Sequence, residues 1–148
     1  MPPIAVVITG RAKADRDACR SLLEPEKDIG VVAEARSGLD AVSATERLKP
    51  RVLLLDLALF NGNGTSLLRV IRRRSPQTQV LLLTHRASES RTIEALSHGA
   101  RGYLEKRTLP AYLPRAVRAV DAGEAWVPRK MVAKIMDRLV LLAFRLEA

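Results

Sequence analysis

The chain has 148 residues, 47% of them hydrophobic, enough for one domain with a real core plus a short appendage. One cysteine, Cys19, excludes an internal disulfide framework; no Cys and His spacing suggests zinc, and no apolar run reaches the roughly eighteen residues a membrane span needs. The net charge of +9 suits polyanions, but the basic residues are dispersed around one cluster, Arg72, Arg73 and Arg74, without interleaved aromatics, so they read as a solvated face. Short apolar runs rich in β-branched residues recur at 4–9, 31–35, 52–56, 79–84 and 102–105 and predict strands. Helical periodicity fills the intervals at 14–23, 38–48, 64–74, 89–98 and 109–122. Strand and helix thus alternate five times, and crossovers of that length require parallel pairing. The expected fold class is α/β, a five-stranded parallel sheet wound on both faces by helices. The continuous runs VLLL at 52–55 and 80–83 agree, since they leave no face for water.

His98-Gly99 and Asp121-Ala122-Gly123 read as helix ends with Gly in the left-handed position. No Gly-rich nucleotide loop follows any strand, which counts against a dinucleotide enzyme. After Gly123 comes a loop, 124–127, then Pro128 at a first helical position and a sixth helix running to near the end. Its Val132, Ile135, Met136, Leu139, Val140 and Phe144 make a wide apolar stripe. The division expected is 1–125 for the domain and 126–148 for a linker and amphipathic helix. That helix either packs back on its own domain, links to a further domain or dimerises. Cys19, on the first helix near Leu22 and Leu23, reads as core, and Trp126 as packing the end of the fifth helix.

Asp56, Thr84 and Lys106 each close a strand at the sheet edge where sites form in such folds. A carboxylate ending a fully apolar strand is costly to desolvate unless paired, and Lys106 and the Thr84 hydroxyl are its natural partners.

The segments RVLLLDLALFNGNG, VLLLTHRASES and ALSHGARGYLEKRTLPAYLPRAVRAVDAGEAW resemble response-regulator receiver domains, CheY-like and flavodoxin-like in fold, of the NarL/FixJ (LuxR-type) class. The resemblance covers nearly all of 4–127 and implies that Asp56 holds the position of the phosphoacceptor served by a sensor histidine kinase. It implies that Thr84 contacts the phosphoryl oxygen, that Lys106 pairs with it, and that Tyr103 changes rotamer with activation. A phosphoryl group adds about −2 of charge, enough to draw a hydroxyl inward and free space for an aromatic ring.

The pattern breaks after the first strand. The family's acidic pair, which helps hold Mg²⁺, falls here on Gly10 and Arg11. Asp56 with the Ala58 carbonyl alone would make a poor ligand set, so no cofactor is expected. Asp15 and Asp17, the nearest other acids, are expected to point elsewhere. Arg11 is placed to pair with Asp56 and replace the metal by a permanent charge, or else to extend into solvent. His85 follows Thr84 where a small residue is usual and narrows access for a phosphodonor. Phe60 stands where proline is common, before a turn supplied by Asn61-Gly62-Asn63-Gly64.

The resulting expectation is a cytoplasmic, non-enzymatic signalling module: a degenerate, phosphorylation-independent receiver of a transcriptional regulator, forming a homodimer. The resemblance implies a helix-turn-helix output domain after the linker helix, and DNA would be a partner only through it; no such motif lies in these residues. Two alternatives stay open: a conventional phosphoaccepting receiver modified at Asp56, and an anion or small-ligand sensing module.

Overall fold

A computed structural model of the chain describes residues 2–59, 65–85 and 89–147. Five parallel strands, β1 (Ile4–Thr9), β2 (Ile29–Ala35), β3 (Val52–Asp56), β4 (Gln79–Thr84) and β5 (Gly102–Glu105), form one sheet in the order β2-β1-β3-β4-β5. The helices between them are α1 (Lys13–Leu23), α2 (Gly38–Leu48), α3 (Thr65–Arg74), α4 (Glu89–Ser97) and α5 (Leu109–Asp121). A longer helix, α6 (Arg129–Glu147), follows.

The period of two along each strand splits the core into two layers. Val6, Ile8, Val52, Leu54, Leu81 and Leu83 pack with α1 and α5 through Cys19, Leu23, Leu113 and Val117. Val7, Leu53, Leu55, Val80 and Leu82 face the other way, onto Leu68, Ile71, Ala95 and Leu96 of α3 and α4. Each enclosed Leu, Ile or Val contributes about 1.5–3 kcal/mol, and the central strands carry most of them.

β2 starts two residues earlier than the apolar run suggested, because Ile29 and Gly30 already pair with Ile4 and Ala5. A register shift between Val6 and Val7 leaves Val32 unpaired and 47% exposed. Gly99 and Gly123 take φ of 115° and 88° at the ends of α4 and α5, as their positions predicted. Trp126 adds one parallel bridge at the β5 edge: its N–H donates to the Arg101 carbonyl at 3.1 Å, and its carbonyl accepts from Tyr103 N–H at 3.0 Å. Gly102 permits that approach, since a Cβ there would lie 2.5 Å from the Trp126 carbonyl oxygen. The indole packs against Tyr112 of α5 with ring centroids 6.0 Å apart.

The sixth helix does pack on its own domain, along a stripe that shares only Ile135 with the predicted one. Met131 is buried and Ile135 joins the α3–α4 layer, whereas Val132, Met136, Leu139, Val140 and Phe144 are exposed. Ion pairs choose the docked face: Lys134 meets Glu89 and Arg138 meets Glu94, both on α4. Among the described residues no helix is long and apolar enough to cross a membrane. Phe60 and the Asn61-Gly62-Asn63-Gly64 turn lie outside the described residues.

Candidate functional site

β3 is buried at every position, and its last residue, Asp56, is only 2% exposed. A carboxylate there needs partners. Its Oδ2 accepts from Lys106 Nζ at 2.6 Å and its Oδ1 from the Ala58 N–H at 2.9 Å. Ala58 sits in the short 3₁₀ turn 57–59 that follows β3, so the chain's own reversal supplies the second donor. Lys106 opens a similar turn after β5, which carries its ammonium to Asp56. Burial works against the lysine's charge, but the hydrogen bond and charge of Asp56, with Asp15, outweigh it and hold its pKa above the ordinary range.

Thr9, which ends β1, was not anticipated as a site residue. Its hydroxyl accepts from Asp56 N–H at 2.9 Å and donates to the Leu54 carbonyl at 2.8 Å, tying the end of β1 to β3 where the ladder between them stops. Nothing in a sequence signals this contact; it requires the register. Thr84 is buried at the end of β4, opposite Glu105 of β5. Among the described residues no hydrogen bond joins it to Asp56 or Lys106, so the expected direct pairing of the Thr84 hydroxyl with Asp56 is not formed. Thr84, His85, Tyr103 and Lys106 instead share the wall of a cavity of about 550 Å³. His85 is exposed at its rim. Tyr103, half-buried on β5, donates its hydroxyl to Met131 Sδ of α6 at 2.9 Å.

Of the two readings of Arg11, the structure follows the second: its side chain is exposed, and among the described residues no ion pair joins it to Asp56. The turn after β1 aims it outward. The guanidinium at this edge comes from Arg16, one turn into α1 and buried, which donates to the carbonyls of Gly10 and Arg11 at 2.7 and 3.2 Å and to Glu34 of β2 at 3.1 Å. The Asp15 expectation is corrected. It turns toward the site, with Oδ2 3.5 Å from Lys106 Nζ, whereas Asp17 turns away and pairs with Lys13. Cys19 beneath the edge is buried, and burial pushes its thiol up to about 11, which suits a core role.

The resemblance implies a divalent ion beside Asp56, and the oxygen donors at this edge are engaged within the chain. Both carboxylates brought to this edge, Asp56 and Asp15, converge on one ammonium. The carbonyls of Gly10 and Arg11 are taken by Arg16. A side chain at position 10 would press on the stem of Arg16, with Cβ 3.1 Å from its Cγ. Among the described residues no group of three His, Cys, Asp or Glu could hold a metal.

A parallel sheet in the order 2-1-3-4-5 with an aspartate, a threonine and a lysine gathered at its carboxyl edge defines a phosphoacceptor-type signalling fold. The chain belongs to the response regulator receiver domain family, whose pattern matches residues 6–118. It is 30% identical over 134 residues to the transcriptional regulatory protein LnrK of Bacillus subtilis, covering 90% of this chain and 61% of that protein. It is 34% identical over 118 residues to the DNA-binding transcriptional activator DevR/DosR of Mycobacterium tuberculosis, covering 80% of this chain and 54% of that one. The chain therefore spans little more than half the length of these relatives, which belong to the NarL/LuxR-type class. The receiver domain of the putative response regulator NarL from Mycobacterium tuberculosis superimposes with a TM-score of 0.78 at 25% identity, over 84% of this chain and all of that one.

Proposed function

We propose that this receiver is a signalling module whose state is set by the Asp56–Lys106 pair without metal-assisted phosphoryl transfer. The observation that carries the reading is the donor set around Asp56: an ammonium at 2.6 Å, a backbone N–H at 2.9 Å, and Gly10 and Arg11 where acids would stand. Phosphoryl transfer to a carboxylate needs concentrated positive charge on the moving oxygens, and one lysine supplies only part of it. The module works in the cytoplasm as a part of a transcriptional regulator, reaching DNA through an output domain of the kind its DNA-binding relative's name describes. It is not an enzyme.

Incubation with acetyl phosphate and Mg²⁺ followed by intact-mass measurement tests this. No phosphoryl adduct should accumulate. An adduct that disappears in Asp56→Asn would establish the conventional reading, with a sensor histidine kinase as partner. A homodimer belongs to the same proposal, supported by the exposed Met136, Leu139, Val140 and Phe144 along α6. Sedimentation of the full chain and of Val140→Lys should give a dimer and a monomer, respectively; an unchanged mass in the variant would move the contact elsewhere.

A further inference from the structure

α6 does not close on its domain along its whole length. Between the helix and the turn that leads from α4 into β5 lies a groove of about 610 Å³, within the size range of small-molecule sites. Its walls are apolar: Leu96 and Ala100 on the domain side, Val127 ahead of the helix, and Ile135, Met136 and Leu139 on the helix itself. From Val132 to Leu139 the helix wall runs roughly 10 Å. At the α4–β5 turn the lining becomes cationic. Arg72, in the last turn of α3, lays its side chain over Gly99, where a Cβ would meet Nη1 at 2.5 Å and Cδ at 2.7 Å. The bare glycine, at φ 115°, thus seats the guanidinium. Arg101, two residues further on, lines the same end and is exposed. His98 is engaged by the Glu94 carbonyl at 2.9 Å, so contacts with a charged head fall to the two arginines. Arg74, in the same turn of α3, is paired with Glu46, whereas among the described residues no ion pair engages Arg72 or Arg101 and no acid lines the groove. The negative end of α4 works against an anion here, but Gly99 and Ala100 N–H close its last carbonyls at 3.2 Å each.

We propose that this groove binds a free single-chain amphiphilic anion, a medium-chain fatty acid, with its alkyl chain along Ile135, Met136 and Leu139 and its carboxylate on Arg72 and Arg101. Charge selects the head, since a guanidinium fork fits a carboxylate and nothing in the lining repels it. Exposed apolar surface selects the tail: an inorganic anion would leave Met136 and Leu139 in water. The site lies at the amino edge of the sheet, opposite the edge that carries Asp56, and does not rest on how Asp56 is read. Met136 and Leu139 also belong to the dimer contact proposed above, whereas Val140 lies outside the groove, so substitution of Val140 separates the two.

The test is methyl NMR of the full chain labelled at methionine, with Met136 assigned by Met136→Leu and decanoate kept below its micelle concentration. Decanoate should shift Met136 and saturate at one per chain, and acetate should leave it in place. Decanol, the same chain without the charge, should bind about tenfold more weakly, the scale of one charge-assisted hydrogen bond. Arg72→Gln should weaken decanoate by about that factor and leave decanol unchanged. Leu139→Glu should weaken both, and Val140→Lys neither. The proposal is overturned by the absence of a saturable shift, by equal affinity for decanoate and decanol, or by indifference to Arg72→Gln. Loss of binding in Val140→Lys overturns it too and gives the groove to a second copy. So does flotation with phosphatidylglycerol vesicles without any response to monomeric decanoate, which gives it to a membrane surface. A phosphoryl adduct on Asp56 would sink the metal-free reading and leave these titrations as they are.

Discussion

Asp56 shows why single residues at this edge cannot be read singly. A buried carboxylate is held by an ammonium, a backbone N–H and, through its own amide, a threonine from the neighbouring strand. Thr9→Val keeps the β-branched shape and removes the hydroxyl that satisfies Asp56 N–H. Urea denaturation should show a loss of about 1–3 kcal/mol, with Thr9→Ser recovering most of it. Lys106 gives a pH signature of defined sign. Its pKa is raised in the folded state, so its contribution is complete below the ordinary lysine value near 10.4 and is lost as pH rises through the folded value. Melting curves above about pH 10 should therefore fall more steeply for the natural chain than for Lys106→Met; parallel curves would contradict the pairing. The pair itself was legible in the sequence, because a lone acid closing VLLLD and a lysine after the fifth strand have few alternatives in a parallel sheet. Thr9, Asp15 and Arg16 were not, since their roles depend on strand register and on the direction of one turn.

At the scale of elements, the turn from β1 into α1 decides which charge reaches the edge. Position alone left Arg11 between Asp56 and solvent; the turn directs it to solvent and gives the inner place to Arg16, whose stem packs where a side chain at Gly10 would stand. Gly10→Asp, which restores one family acid, should cost about 1–3 kcal/mol by crowding that stem, as overpacked sites do. Stability equal to that of the natural chain would show that the turn accommodates an acid freely. α6 teaches the same lesson. Its apolar stripe is wide enough to dock on several faces, and the choice falls to Glu89 and Glu94 on α4, which no periodicity argument weighs. Glu94 is held below the usual carboxylate range, chiefly by its hydrogen bond from Arg138, against some desolvation. Its stabilising effect is present above the ordinary glutamate value near 4.3 and is lost as pH falls through the folded value. Exchange across α6 should accelerate below about pH 4 before that of α5, and simultaneous loss would mean that the helix has no separate opening.

Across the whole molecule, five strands, their parallel pairing and two left-handed helix ends follow from hydrophobic runs and glycines, because burial on both faces of a sheet leaves little freedom in pattern. The same pattern says nothing about whether the edge of that sheet binds a metal. That question turns on Asp56, Asp15 and Lys106 sharing one crevice with Arg16 fastened to the carbonyls of Gly10 and Arg11. A ligand that binds only the folded state raises the melting temperature by mass action, by roughly 2–4 °C per kcal/mol for a protein of this size. The direct measurement is the melting temperature of the natural chain in excess Mg²⁺ and in chelator, beside Asp56→Asn. The proposed metal-free reading predicts the same temperature in both conditions for both chains; a rise with Mg²⁺ in the natural chain that vanishes in Asp56→Asn would contradict it.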